Sequence, residues 1–111
     1  NIQFSKIKGT LVNINDLEHI LDGKEEIDEW QIEIRKKDDD PYEVDELILY
    51  IALIGDIDKE AFCCRLNDEL LSVTDVSFNE ISFVSHKEIQ QRIDIECAVK
   101  AKKVVDKRPA A

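Results

Sequence analysis

The residues best suited to chemistry lie at the two ends of the chain. Near the C-terminus, Lys100, Lys102, Lys103, Lys107 and Arg108 gather around a single acid, Asp106. Such a small basic end could meet one phosphate-bearing ligand. Near the N-terminus, Gly9 follows Lys6 and Lys8. From the residues alone, Gly9 reads as a turn or bulge glycine and the two lysines beside it as solvent-facing. Other candidates are poorer. His19 and His86 stand alone, without cysteine or carboxylate partners at ligand spacing, and read as surface or capping residues. Asp38, Asp39 and Asp40 lack the glycine and later glutamate of a calcium loop and read as a solvated hairpin tip. Cys63, Cys64 and Cys97 are odd in number and include an adjacent pair, which gives neither an ordinary disulfide nor zinc spacing. They read as small buried hydrophobes in a reducing cytosol. The pattern predicts no metal site.

The elements that must position these residues fit one domain over residues 1–111: at 43% hydrophobic content the chain can build one small core. Asn13 or Asn15 offers an N-cap to a short helix with Leu17, Ile20 and Leu21 on one face, stopped by Gly23. Trp30 to Ile34 alternates apolar and polar residues, the period of a half-buried strand. Lys36 to Tyr42 reads as a hairpin loop, and the apolar run ending at Ile54 as a central strand covered on both sides. Asp56 or Asp58 caps a second helix carrying Phe62, Leu66, Glu69, Leu70 and Val73. Ser77 to Val84 alternates again, and His86 to about Ile95 is helical. With a first strand around 7–13, the order predicts an α+β fold, a ferredoxin-like βαββαβ sheet with helices packed on one face, plus a C-terminal helix and basic tail.

Charge restricts the partners. The net charge is −10, and the tail from Lys100 to Arg108 carries five cations against Asp106, or +4, which leaves −14 on the rest. Such an acidic body repels nucleic acid. No run approaches the roughly 20 apolar residues needed to span a bilayer, and no signal segment stands at the start, so the chain is expected to be soluble and cytoplasmic.

Two segments carry a family resemblance. Lys6-Ile7-Lys8-Gly9, followed by Glu18 in a helical pattern, is similar to the K-x-R-G…E stretch that opens the C-terminal domain of adenylate-forming enzymes. Lys100-Ala101-Lys102-Lys103-Val104-Val105-Asp106-Lys107-Arg108 resembles the terminal pattern G-K-x-x-R-V-x-D-x-R of the phenylacetate-CoA ligase branch, with Val99 where glycine is usual and Lys103 where arginine is usual. Between them, residues 27–32 and 44–47 look like that branch's second strand and the acidic start of its third.

The resemblance implies the mobile C-terminal domain of an ATP- and Mg2+-dependent acyl-CoA ligase, inactive by itself. Its partners would be the N-terminal adenylation domain of the same chain, coenzyme A and a carboxylic acid, aromatic by analogy with the branch. It implies that Lys100 is the catalytic lysine of adenylation, and that Gly9, with Lys8 beside it, faces coenzyme A in the second step. The family's hinge is expected at or before Asn1, because no R-x-D occurs upstream of Gly9. A synthetase that adenylylates a deazaflavin coenzyme shares the same domain. A reading from another class is a stand-alone ferredoxin-like ligand-binding or regulatory module that forms a homodimer through its sheet.

Overall fold

The computed structural model describes residues 3–94 and 103–110. β1 (Phe4–Ile7) and β2 (Thr10–Asn13) form an antiparallel hairpin of their own. α1 (Ile14–Asp22) follows without a break. Its N-cap is Asn13, whose side-chain oxygen accepts from the Asn15 amide, and Gly23 closes it by donating its N–H to His19 O. Each cap satisfies backbone groups that the helix itself leaves unpaired.

β3 (Ile27–Lys36) and β4 (Asp45–Leu53) are the antiparallel centre of a four-stranded sheet in the order β5-β4-β3-β6. A short 3-10 turn at Lys37–Asp39 and an exposed loop join them, as the aspartate run suggested. α2 (Lys59–Thr74) is capped by Asp58 through the Ala61 amide. β5 (Glu80–Phe83) lies parallel to β4, α3 (His86–Asp94) follows, and β6 (Val104–Asp106) lies parallel to β3.

The period of two along the central strands decides the layers. Trp30, Ile32 and Ile34 of β3 sit opposite Ile51, Leu49 and Leu47 of β4 and share one core with Ile14, Leu17 and Leu21 of α1 and Phe62, Leu66 and Leu70 of α2. The other face carries Gln31 and Glu33 of β3 and is covered by α3. There Arg92 Nε donates to Gln31 Oε1 at 3.2 Å, and its guanidinium carbon lies 3.5 Å from the centre of the Tyr50 ring. Two covered faces explain why β4 is apolar on nearly every residue.

The α+β architecture agrees with the sequence reading, with three differences of detail. The segment at 7–13 is not one strand: Lys8 and Gly9 turn the chain back, so it splits into a hairpin outside the main sheet. The tail, read as a basic run, supplies a strand through Val104 and Val105, β-branched residues that suit a sheet edge. Val73 faces solvent at 53% exposure, and the fourth position of the buried α2 stripe is Thr74, whose hydroxyl donates to Leu70 O at 2.7 Å.

Candidate functional site

The hairpin turn is the first part of the site. Ile7 pairs with Thr10, which leaves two residues at the bend, and both have positive φ, 54° at Lys8 and 78° at Gly9. That is the pattern of a type I′ turn, whose twist matches the strands it joins. A Cβ built on Gly9 would meet nothing within 4 Å. Packing therefore does not require glycine here. The backbone conformation favours it, and the turn presents an open backbone surface.

Asp45, the first residue of β4, holds this turn. Its Oδ2 accepts from the Lys8 amide at 2.7 Å, and its Oδ1 lies 2.8 Å from Lys36 Nζ. The Lys8 ammonium donates to Ser77 O at 2.9 Å. A cleft of about 440 Å3 opens beside the turn, lined by Lys8, Gly9, Lys36, Val44, Asp45 and Asn79.

The tail reaches the same place. After β6, Lys107 N continues the ladder to Ile34 O at 2.7 Å. Arg108 then bonds Asp106 through Nε at 3.0 Å and Nη2 at 2.8 Å. Its Nη1 donates to Lys6 O at 2.6 Å and lies 3.3 Å from Asp45 Oδ2, while its Nη2 donates to Ser5 Oγ at 3.1 Å. Burial pushes the Asp45 carboxyl upward, but Lys36, the Lys8 amide and Arg108 outweigh it and hold it below the usual carboxylate range. The hydrogen bond from Arg108 lowers Asp106 as well. Both acids are thus kept ionised for one shared cation.

Upstream in the tail, Lys103 is fixed separately. Its carbonyl accepts from Ile32 N at 2.7 Å. Its ammonium pairs with Glu29 and sits 4.1 Å from the centre of the Trp30 ring, whose Nε1 donates to Asp22 Oδ1 at 2.9 Å. Burial pulls the Lys103 ammonium down, against Asp22 and Glu18, which support its charge. Trp30 thus serves the core and the tail at once.

Of the residues singled out in the sequence, Gly9 and Lys8 lie together at the turn, with the Lys8 amide and ammonium both engaged. Lys100 lies outside the described residues, as does Cys97. Cys63 is half-buried, with its thiol raised by burial, and Cys64 is exposed, so the second of this adjacent pair is not the buried hydrophobe expected. His86 pairs with Asp28. Among the described residues no group of three or more His, Cys, Asp or Glu side chains is placed to hold a metal ion. No helix among them is long and apolar enough to cross a membrane.

No protein-family model matches the chain, and no curated protein matches it. Solved structures do. A domain of phenylacetate-coenzyme A ligase from Bacteroides vulgatus ATCC 8482 is similar with a TM-score of 0.73 at 16% identity, over 98% of this chain and 96% of that one. The fold is that of a coenzyme A ligase domain. A 2-hydroxyisobutyryl-CoA ligase, solved in the postadenylation state in complex with 2-HIB-AMP, is similar with a TM-score of 0.65 at 20% identity, over 95% of this chain and 22% of that one. The chain therefore spans about a fifth of that ligase.

Within this ligase-domain fold, Asp45 was not singled out from the sequence and Arg108 was read only as part of the basic tail, although both fall in the segments that carry the resemblance. A signal was present. An acid at the first position of a buried apolar strand is seldom buried without a cationic partner, and the tail offered five candidates.

Proposed function

We propose that this chain acts as the C-terminal domain of an AMP-forming, ATP-dependent acyl-CoA ligase, cytoplasmic and inactive alone, working against an adenylation domain N-terminal to it. The observation that carries the reading is the fold shared with the phenylacetate-coenzyme A ligase domain over nearly the whole of both chains. The Lys6-Ile7-Lys8-Gly9 and Lys100-to-Arg108 segments support it.

In the first half-reaction a carboxylate oxygen of the acid bonds to the α-phosphorus of ATP, the bond to pyrophosphate breaks, and an acyl-adenylate forms. The Lys100 ammonium balances the charge that rearranges there. Magnesium would accompany the nucleotide and neutralise its phosphates. In the second half-reaction the coenzyme A sulfur bonds to the acyl carbon, the acyl–oxygen bond to AMP breaks, and the thiol proton passes to solvent. Gly9 lets the narrow pantetheine arm pass close to backbone, and Lys8 lies beside it. The adenylation domain selects the acid, of the aryl or acyl class.

The test is Lys100→Ala in the ligase that carries both domains. Pyrophosphate release on adenylation should fall by about 100-fold or more, the scale of losing one charge-stabilising group. Acyl transfer from purified adenylate to coenzyme A should stay within about threefold. Adenylation that remains within a few-fold of wild type removes Lys100 from the mechanism.

A further inference from the structure

Three segments far apart in sequence meet on one carboxylate. Asp45 is 9% exposed. It takes the Lys8 amide from the turn, the Lys36 ammonium from β3 and the Arg108 guanidinium from the tail. Arg108 in turn grips β1 at Lys6 O and Ser5 Oγ, while Asp106 holds it from the far side. A planar fork of fixed donors suits such a task better than a lysine's flexible point charge.

The hairpin does not depend on this arrangement for its attachment to the core. Ile7 and Val12 already fasten the hairpin to the core at 0% and 1% exposure, and a largely buried ion pair returns little net free energy after its desolvation. It does impose geometry. The Lys8 amide ties the turn to Asp45 of β4, and Arg108 extends that tie to the tail by contacting the same Asp45 oxygen as well as β1. The tail has its own anchors in Lys103 and the β6 ladder, so its position does not depend on Arg108 in return.

We propose that Arg108 and Asp45 are positioning residues for the thioester-forming half-reaction: they lock the Lys8–Gly9 turn to the tail, so that the turn meets the pantetheine arm in one fixed conformation. The inference rests on the ligase reading above and adds to it the residues that set the coenzyme A-facing turn. Neither residue touches the reacting atoms. Without them the turn still forms, from its own φ preferences, but it samples several orientations. The loss then falls on coenzyme A binding and acyl transfer, and spares adenylation.

Arg108→Gln and Asp45→Asn in the ligase carrying both domains test this, with the two half-reactions assayed separately. Transfer from purified adenylate should fall by about 10- to 100-fold, the usual scale for misplacing a contact by an ångström, with KM for coenzyme A raised. Adenylation should stay within about threefold of wild type, and Arg108→Lys should recover part of the transfer rate. Amide hydrogen exchange gives the second readout. Lys8 should exchange about tenfold faster in both variants, with Ile32 and Leu49 unchanged as evidence of an intact core. Equal losses in the two half-reactions, unchanged transfer, or unchanged Lys8 exchange would each overturn the proposal. A wild-type enzyme that performs neither half-reaction overturns the ligase reading instead, and Lys8 exchange then still decides whether the pair holds the turn.

Discussion

The Lys103 ammonium sits over the face of Trp30, 4.1 Å from the ring centre, so the tail and the core are joined through the chain's single tryptophan. Removing the cation should therefore be visible in the ring it covers. Lys103→Ala is expected to cost about 1 to 2 kcal/mol, the value of a partly desolvated cation–π contact with its ion pair, read from urea unfolding. Trp30 fluorescence should change in the native baseline of the same titration. A variant with native fluorescence and stability would contradict the contact.

Acid should unfasten the turn. Against its burial, Asp45 is held below its ordinary value by Lys36, the Lys8 amide and Arg108, and Asp106 is held low by its hydrogen bond from Arg108. A group depressed in the folded state contributes its full stabilisation above the unfolded value, near 3.9 for aspartate, and loses it as pH falls through the folded value. Stability should thus decline below about pH 4, and Asp45→Asn should make the decline shallower. Thermal melts from pH 7 to pH 3 measure both. An unchanged slope in Asp45→Asn would show that this carboxylate does not drive the transition.

Gly9 separates backbone strain from packing. Gly9→Ala meets no atom within 4 Å but keeps a positive φ, so it should cost about 1 to 2 kcal/mol, whereas Gly9→Asn, which tolerates that region, should cost less. Chemical denaturation decides. Equal costs for the two would mean that φ is not what selects glycine here.

The core prediction contrasts two positions on one helix. Leu66 is 1% exposed and packs in the main cluster, whereas Val73 is 53% exposed. Leu66→Ala should lose about 2 to 5 kcal/mol. Val73→Ala should stay within about 0.5 kcal/mol, as surface changes usually do. Denaturant midpoints at matched slopes test the pair.

The legible parts of this fold are those where a local pattern has one physical outcome. Gly23 could be read as a stop, and the N-caps narrowed to Asn13 or Asn15 and to Asp56 or Asp58, because each answers a need inside the same helix; the structure selects Asn13 and Asp58. The alternation from Trp30 to Ile34 could be read as a strand because two faces of different polarity repeat every second residue. Other features depend on partners remote in the chain. Nothing near Val104 says that it lies beside Ile32, and a run dense in lysine hides its two valines. Val73 and Thr74 were exchanged for a similar reason: either could extend the α2 stripe, and the position of the sheet under the helix decides between them.

The site divides along the same line. Lys8 and Gly9 were visible as residue types, but the split of that segment into a hairpin required both of them to adopt positive φ, and lysine does so rarely. Asp45 looked like one acid among many on an acidic chain. Its meaning comes from Lys8, Lys36 and Arg108, which converge only after the sheet has formed.

The parallel pairing of β6 with β3 also bears on how the molecule comes into being. β3 is made early, and its partner at Val104–Asp106 emerges from the ribosome after every other described element of the sheet. Until then one flank of β3 is an open row of backbone donors and acceptors, able to template pairing with another chain. A stop codon or protease cut just before Val104 would leave that flank bare for good, and aggregation would be the foreseeable fate of the truncated product.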